Sequence, residues 1–219
     1  MYPQTQIIPV MDKAHFLQIL MEQIRLITPI EVLSTVSQVI SVWFAQKNSV
    51  WVYPTGIIGV LLAAYLYFFL AEPPLYAEGS VHCYYFVLSC YGWYLWVQKK
   101  NDNTLMYPIQ WSTPDVWKKT AVLSVVNWMG IYLLLKYMTD SDTPWMDSFV
   151  SAMAITAMWL MAARKIENWL FWMVSNVVAI PLHLYKSFYL FSLMFFLFLV
   201  MAIAGFFQWK KMISSTQLY

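Results

Sequence analysis

Charged residues are scarce in this sequence. Asp, Glu, Lys and Arg together make up only 11% of its 219 residues, whereas they make up roughly 25% of soluble domains. Apolar residues account for 61% of the chain and fall into long runs, each close to the roughly 20 residues that cross a hydrocarbon core. A soluble fold of this composition would lack the charge to hydrate its surface. The composition therefore predicts a polytopic integral protein of the lipid bilayer.

Groups that could carry chemistry are also few. Cys83 and Cys90 lie in one apolar run, too far apart to pair within a helix, and His15, His82 and His183 are isolated, without metal-ligand spacing. The sequence has no paired carboxylates, no H-E-x-x-H and no Ser/His/Asp set. It therefore predicts no enzyme activity, no cofactor and no metal. The formal charge of +2 is too small to indicate a nucleic-acid partner, and the first residues lack the pattern of a secretory signal peptide.

The acidic residues are placed away from the predicted membrane interior. All eleven fall in loops, tails or the first turn of an apolar segment. Proton relays in membranes normally use ionisable groups inside the spans, so this placement argues against proton coupling. A sodium site built from backbone carbonyls and hydroxyls stays open as an alternative.

Seven apolar segments are long enough to predict membrane spans. They cover residues 30–46, 51–71, 81–98, 119–138, 145–163, 167–185 and 187–209. Before them, Leu17, Leu20, Met21 and Ile24 share one face of a predicted helix, which is typical of a helix lying in the membrane interface. An ordinary extramembrane helix is the alternative for that stretch.

Basic residues are concentrated in alternate loops. One set of loops carries Lys47, Lys99, Lys100, Lys118, Lys119, Arg164, Lys165, Lys210 and Lys211, and the other set carries Glu72, Glu78, Asp140, Asp142 and Asp147. Because lysine and arginine are enriched on the cytoplasmic side of membranes, this distribution predicts a cytoplasmic C-terminus and an N-terminus outside.

An internal repeat is visible at the segment ends. The third segment ends in Tyr-Gly-Trp-Tyr-Leu-Trp at 91–96 and the seventh in Ala-Gly-Phe-Phe-Gln-Trp at 204–209, each followed by two lysines. The spacing from Lys47 to Trp51 equals that from Lys165 to Trp169, which pairs the two tryptophans. These matches relate segments one to three with segments five to seven in the same orientation. Parallel repeats of this kind are a transporter architecture with the substrate between the halves.

We therefore predict an all-α integral membrane fold of seven transmembrane helices, with two parallel three-helix repeats joined by a linker helix (3+1+3). The expected organisation is an N-terminal tail and amphipathic interfacial helix at 1–28, a first repeat with its loop at 29–118, a linker helix at 119–143, a second repeat at 144–211 and a C-terminal tail at 212–219. Tryptophans near the segment ends further predict interfacial aromatic belts, formed by Trp43, Trp51, Trp96, Trp111, Trp117, Trp145 and Trp209.

The sixth segment carries the strongest candidate binding site. Trp169, Trp172 and Asn176 are spaced i, i+3 and i+7, so they form one helical stripe. Two indole faces one turn apart can hold a flat, cationic ring, at roughly 0.5–2 kcal/mol for each good contact. The alternative is that Trp169 belongs to the belt and Asn176 hydrogen-bonds a neighbouring helix. Asn127 has the same ambiguity, with a helix contact favoured, and Gln98 and Gln208 could simply be interfacial.

These residues resemble the PnuC family of bacterial vitamin transporters. The likeness rests on the Trp-x-x-Trp of Trp169 and Trp172, the run through Pro181 to Lys186, the Tyr-Gly-Trp-Tyr at 91–94 and the closing Gly-Phe-Phe-Gln-Trp at 205–209. It covers about residues 29–211. The candidate substrate-binding set comprises Trp169, Trp172, Asn176, Asn127, Tyr91, Tyr94 and Gln98.

The resemblance also implies a function. Family members have a 3+1+3 fold similar to SWEET sugar transporters and are typically homotrimers. They take up nicotinamide riboside across the bacterial inner membrane by facilitated diffusion, and a cytoplasmic kinase traps the substrate. Close relatives move thiamine or other nucleoside-like vitamins. The alternatives are a sugar carrier of the same fold, or a structural membrane subunit that transports nothing.

Overall fold

The computed structural model describes residues 13–72, 76–99, 105–139 and 141–216, and these ranges contain eight helices. They are α1 (Lys13–Leu26), α2 (Pro29–Gln46), α3 (Val52–Tyr65, continued by a π-helical turn at Leu66–Leu70), α4 (Tyr76–Val97), α5 (Pro114–Met138), α6 (Pro144–Ala162), α7 (Asn168–Tyr185) and α8 (Tyr189–Thr216). The all-α prediction is confirmed, and the seven predicted segments correspond to α2–α8. The terminal tails at 1–12 and 217–219, together with Lys100 and Asp140, lie outside the described ranges.

Prolines and caps set several helix starts. The Thr28 side chain accepts a hydrogen bond from the Glu31 backbone N–H, and the Glu31 carboxylate accepts one from Thr28 N at 2.6 Å, with Pro29 in the first turn. Pro114 and Pro144 open α5 and α6, where the missing N–H of proline costs nothing. The helix α5 therefore begins at Pro114, five residues before the apolar segment at 119–138. The helices α4 and α8 also extend beyond their apolar runs, because hydropathy marks only the lipid-soluble part of a helix.

We call helices α2–α4 the first unit and helices α6–α8 the second unit. In the first unit α3 packs against α2 and α4, and in the second unit α7 packs against α6 and α8. The helix α5 packs on α6. The two units meet through α4 against α6 and through α8 against α2. The third helix of each unit therefore contacts the first helix of the other.

Within the described ranges, four helices are long and apolar enough to cross a membrane. They comprise Val52–Leu70, Pro114–Met138, Pro144–Ala162 and Tyr189–Ser215, and the bent pair Phe16–Leu26 and Pro29–Gln46 would add a fifth. The remaining helices of the two units contain more serine, asparagine, glutamine and tyrosine. The chain is a multi-pass membrane protein, and a count of seven spans stays a prediction.

The helix α1 lies across the end of the bundle. Its axis is bent by 96° from that of α2. Gln23 donates from Nε2 to Ser187 O at 2.6 Å and accepts from Leu190 N at 3.2 Å, so it is fixed to the turn between α7 and α8. The apolar side chains of Leu17 and Met21 are exposed, which agrees with the predicted position in the membrane interface.

The bundle has two chemically different ends. The basic end is where α2, α4, α6 and α8 end and where α3, α5 and α7 begin, and its lysines include Lys47, Lys99, Lys165 and Lys210. At the opposite end, Lys186 Nζ lies 2.8 Å from Asp147 Oδ2 and 3.7 Å from Asp142 Oδ1. That ion pair joins the turn after α7 to the start of α6.

Candidate functional site

Two buried tryptophans join the units at the basic end. Trp96 Nε1, near the end of α4, donates to the carbonyls of Met161 and Ala162 at 3.1 Å each, at the end of α6. Trp209 Nε1 in α8 donates to Ala45 O at 2.9 Å, at the end of α2. The exposed fractions of Trp96 and Trp209 are 1% and 0%. The prediction that these two belong to an aromatic belt is wrong, because their N–H groups are bound to protein rather than to interfacial water.

Each of these tryptophans packs against an aromatic ring from the preceding helix. The rings of Tyr53 and Trp96 meet edge to face at 5.2 Å, and those of Trp169 and Trp209 do so at 5.6 Å. Trp96 and Trp209 are themselves 6.2 Å apart between ring centroids. The four rings therefore form a continuous row across the boundary between the units.

Glycines make room for the first ring of each pair. A Cβ added at Gly92 would lie 2.5 Å from the Tyr53 ring, and one added at Gly205 would lie 2.6 Å from the Trp169 ring. Tyr53 thus occupies the place in the first unit that Trp169 occupies in the second. The predicted pairing of Trp51 with Trp169 is wrong by two residues: Trp51 is 63% exposed, because it precedes the buried first turn of α3.

The turns at the basic end also correspond between the units. Asn48 has φ 52° and Arg164 has φ 50°, and the two residues are 116 positions apart, the same separation as Tyr53 and Trp169. The N–H of Asn48 donates to Ala45 O and that of Arg164 to Met161 O, both at 2.9 Å. Left-handed backbone is uncommon outside glycine. Because it recurs here with the same hydrogen bond and the same separation along the chain, the two positions correspond.

Arg164 is a buried cation at this end. Its Nε donates to Asn48 Oδ1 at 3.0 Å and its Nη1 to Tyr107 O at 2.8 Å. The guanidinium carbon lies 4.1 Å from the centre of the Trp96 ring. Burial lowers the pKa of Arg164 to about 10, and the nearby Tyr53 opposes that shift. The side chain therefore remains charged at neutral pH and joins the two turns and the α4–α5 loop.

The loop before α5 is fixed to the turn before α7. Gln110 N donates to Arg164 O at 3.2 Å, and Ile166 N donates to Gln110 O at 3.1 Å. The buried Glu167 carboxylate accepts from Ser112 N at 2.7 Å and from Ser112 Oγ at 2.9 Å. Burial also lowers the pKa of Lys165, against the effect of Glu167. These contacts cover the basic end of the second unit.

The predicted α7 stripe is present but unevenly buried. Trp169 is 1% exposed and packs against Trp209, so the interpretation of Trp169 as a belt residue is wrong. Its Nε1 is buried without a hydrogen-bond partner. Trp172 is half-buried against the same aromatic cluster, and Asn176 is buried one turn further along the helix. The stripe thus runs from the aromatic row at the basic end towards the middle of α7.

The other candidate residues lie on α4, directly after α4 and on α5. Tyr91 and Tyr94 are largely exposed on α4. Gln98 follows the end of α4, and its carbonyl accepts from Met106 N at 3.3 Å. Asn127 lies on α5, which packs on α6, and its Nδ2 is buried without a hydrogen-bond partner. In the described part of the chain, no group of three or more His, Cys, Asp or Glu could hold a metal ion.

Comparison with known proteins matches residues 28–211 to the family model of the nicotinamide mononucleotide transporters. The chain belongs to this family. Similar curated relatives include the nicotinamide riboside transporter PnuC of Escherichia coli, 24% identical over 204 residues that cover 82% of this chain and 84% of the relative. The riboflavin/roseoflavin transporter RibM of Streptomyces davaonensis is 24% identical over 145 residues, 63% of each protein.

The fold of this nicotinamide mononucleotide transporter family member is also found in a solved structure. The crystal structure of the vitamin B3 transporter PnuC superposes with a TM-score of 0.68, at 22% identity, over 92% of this chain and 91% of that one. At that identity the likeness concerns the fold. The match extends over both units and α5, so the packing described above is that of a known membrane transporter fold.

Sequence reasoning missed three residues at the basic end of this family member. Tyr53, Arg164 and Gln46 were not among the candidates, although Gln46 Nε2 donates to Met201 O at 2.7 Å across the unit boundary. One signal was available: Gly92 and Gly205 are separated by the same number of positions as Trp96 and Trp209. Gly92 faces the ring of Tyr53 and Gly205 faces the ring of Trp169. Pairing the preceding helices through these two glycines, rather than through the spacing from lysine to tryptophan, selects Tyr53 as the counterpart of Trp169.

Proposed function

We propose that this chain takes up nicotinamide riboside across the bacterial inner membrane by facilitated diffusion, with a cytoplasmic kinase trapping the substrate. The observation that carries the proposal is the pairing on α7 of a half-buried indole, Trp172, with a buried amide, Asn176, inside a transporter-family bundle. The indole suits a cationic ring, and the amide can bind a polar group of the ligand. Trp169 would support Trp172 from its packed position, and Tyr91, Tyr94, Gln98 and Asn127 complete the proposed site.

We also propose the 3+1+3 arrangement with the boundaries predicted above, α5 being the linker helix. The reciprocal packing of α4 on α6 and of α8 on α2 supports it. Under the positive-inside rule the basic end would face the cytoplasm. The C-terminus would then lie inside the cell and the N-terminus outside. A homotrimer, as in the PnuC family, is part of the same proposal.

Binding of purified protein to nicotinamide riboside, thiamine and riboflavin, measured side by side by calorimetry, tests the substrate. We expect nicotinamide riboside to bind tightest, since its ring is cationic and its ribose can meet the amide. If thiamine binds more tightly, thiamine rather than nicotinamide riboside is the substrate. If riboflavin binds most tightly, the substrate is the one named for RibM. Binding of none of the three would support a sugar carrier or a non-transporting subunit.

Replacing Trp172 with alanine should weaken substrate binding by roughly 1–3 kcal/mol, the range for one lost stacking contact. Calorimetry on the purified variant measures this change. Trp51→Ala is the matched control, because Trp51 is exposed at the start of α3 and should bind as the unmodified protein does. If the two variants bind the substrate with equal affinity, Trp172 does not contribute to the binding site.

Transport should be uncoupled from ion gradients. The acidic residues of α2–α8 that the structure describes lie at helix ends or in loops, for example Glu31 and Asp147 in first turns, so none of these carboxylates is placed to carry protons through the interior. Proteoliposomes should equilibrate labelled substrate without concentrating it, and enclosed kinase with ATP should raise total uptake. Membrane potential alone moves a cation at about 2.3 kcal/mol per 100 mV, so it must be clamped at zero. Uphill uptake on a proton or sodium gradient under that clamp contradicts the prediction.

A further inference from the structure

The hydrogen bonds described above that cross from one unit to the other all lie at the basic end. They are the bonds of Trp96 to the end of α6 and of Trp209 to the end of α2, the bond of Gln46 to Met201 O, and the bond of Arg164 to Asn48. The same end holds the row of four aromatic rings. This seam, defined by the hydrogen bonds of these four side chains, closes the basic end between the two units.

The two tryptophan contacts correspond in position, although Trp96 shares its N–H between two carbonyls and Trp209 donates to one. Each indole N–H comes from near the end of the third helix of one unit, and each acceptor is a carbonyl in the last turn of the first helix of the other unit. Carbonyls in the last turn of a helix have no partner within the helix. Such an acceptor can exchange the indole for water without breaking any helical hydrogen bond.

The acceptors are also suited to repeated release. Ala45 O accepts a second hydrogen bond from Asn48 N, and Met161 O accepts one from Arg164 N. A carbonyl oxygen has two lone pairs, so each acceptor keeps one bond when the indole leaves. Separation of the two units at the seam would also expose Tyr53 Oη and Trp169 Nε1 to water. These two polar atoms come from corresponding positions and are buried without a hydrogen-bond partner in the closed arrangement.

We propose that Trp96 and Trp209 act as paired latches, meaning that their indole hydrogen bonds hold the basic end closed. Both tryptophans must lose these bonds before substrate can leave on that side. The inference rests on the proposed transport function, because a closed end has meaning only for a protein that opens. Each unit contributes one of the two indole N–H donors, so both units take part in the release. Arg164 adds a further contact, and the corresponding residue of the first unit is its acceptor, Asn48.

Thiol labelling tests the latches without any substrate. Cys83 and Cys90 are replaced by serine, and Ala202→Cys places a reporter in the buried cluster that contains Trp96 and Trp209. In inside-out vesicles, Trp96→Phe and Trp209→Phe should each raise the rate of labelling by an impermeant maleimide roughly three- to tenfold, as expected when the indole N–H that helps to keep the seam closed is lost. Trp93→Phe is the control, since Trp93 lies on α4 but is 39% exposed. Labelling rates equal to those of the control overturn the proposal.

A cross-link provides a second test that does not depend on the tryptophan variants folding. Gln46→Cys with Met201→Cys, in the same background, places two thiols across the seam. Oxidation should abolish transport of labelled nicotinamide riboside, and reduction should restore it. Transport that continues in the cross-linked protein overturns the latch proposal. Absence of transport in the reduced protein instead contradicts the proposed function, while the labelling result still decides the latch.

Discussion

Replacing Arg164 with alanine should destabilise the bundle by about 2–4 kcal/mol. Hydrogen bonds from a charged donor contribute about 1.5–3 kcal/mol each, and Arg164 makes two, to Asn48 and to the Tyr107 carbonyl. Its stacking on Trp96 adds about 0.5–2 kcal/mol. Part of this sum is offset because the variant no longer buries a cation. At about 2–4 °C per kcal/mol for a chain of this size, the melting temperature in detergent should fall on the order of 10 °C.

Two variants separate the geometry of Arg164 from its charge. Arg164→Lys keeps the cation but loses the planar fork that reaches two acceptors and stacks on a ring, so most of the stability should still be lost. Arg25→Ala removes an exposed arginine of α1 and should change the melting temperature by little. If the Arg164→Lys variant has the same melting temperature as the unmodified protein, the positive charge alone, rather than the hydrogen-bond geometry, stabilises the turn.

Replacing Gly205 with alanine should also destabilise the protein, by about 1–3 kcal/mol, the usual cost of overpacking. The new Cβ would lie 2.6 Å from the indole of Trp169, which is itself held by Trp209. Gly92→Ala should behave alike, because of the Tyr53 ring at 2.5 Å. Gly130→Ala is the control: no atom lies within 4 Å of a Cβ at that position of α5, so removing a helical glycine should stabilise by about 0.5–1 kcal/mol. Thermal unfolding of the three variants measures these effects.

The atoms of Trp169 that Gly205 faces define a rescue experiment. They are Cη2, Cζ2 and Cε2 of the indole, and a phenylalanine at 169 would lack the larger part of that ring system. In the double variant Gly205→Ala, Trp169→Phe, the added methyl should therefore cost less than it does alone, with a coupling energy of about 0.5–3 kcal/mol. Strict additivity of the two substitutions would show that the destabilisation does not arise from this contact.

The helices could be predicted from the sequence because apolar runs directly reflect the bilayer. Their ends could not: Pro114 and Thr28 set them through local capping, outside the apolar stretches. Trp96 and Trp209 were misassigned since a tryptophan next to lysines has the same local pattern whether its N–H is hydrated or bound to another helix.

Arg164 could not be predicted for a different reason. It looked like one more basic loop residue, but its partners lie 57 and 116 positions away in the chain. Neither Tyr107 nor Asn48 has a sequence pattern that indicates a guanidinium acceptor, and one of the two acceptors is a backbone carbonyl, which leaves no trace in the sequence. The α7 stripe was predictable in register, since helical spacing fixes which residues share a face. Its role in binding stays a prediction.

The paired left-handed turns at Asn48 and Arg164 have an evolutionary consequence. If the two units descend from one duplicated gene, this position has since diverged, and the halves are no longer interchangeable. A protein assembled from two copies of the first half would place asparagine in both turns, with no guanidinium to reach the neighbouring amide or stack on an indole. Two copies of the second half would instead bring two buried cations to one end. Exchanging Asn48 and Arg164 between the two turns would therefore not produce a symmetric protein. The Trp96 ring and the Tyr107 carbonyl contact the guanidinium of the second turn, at Arg164.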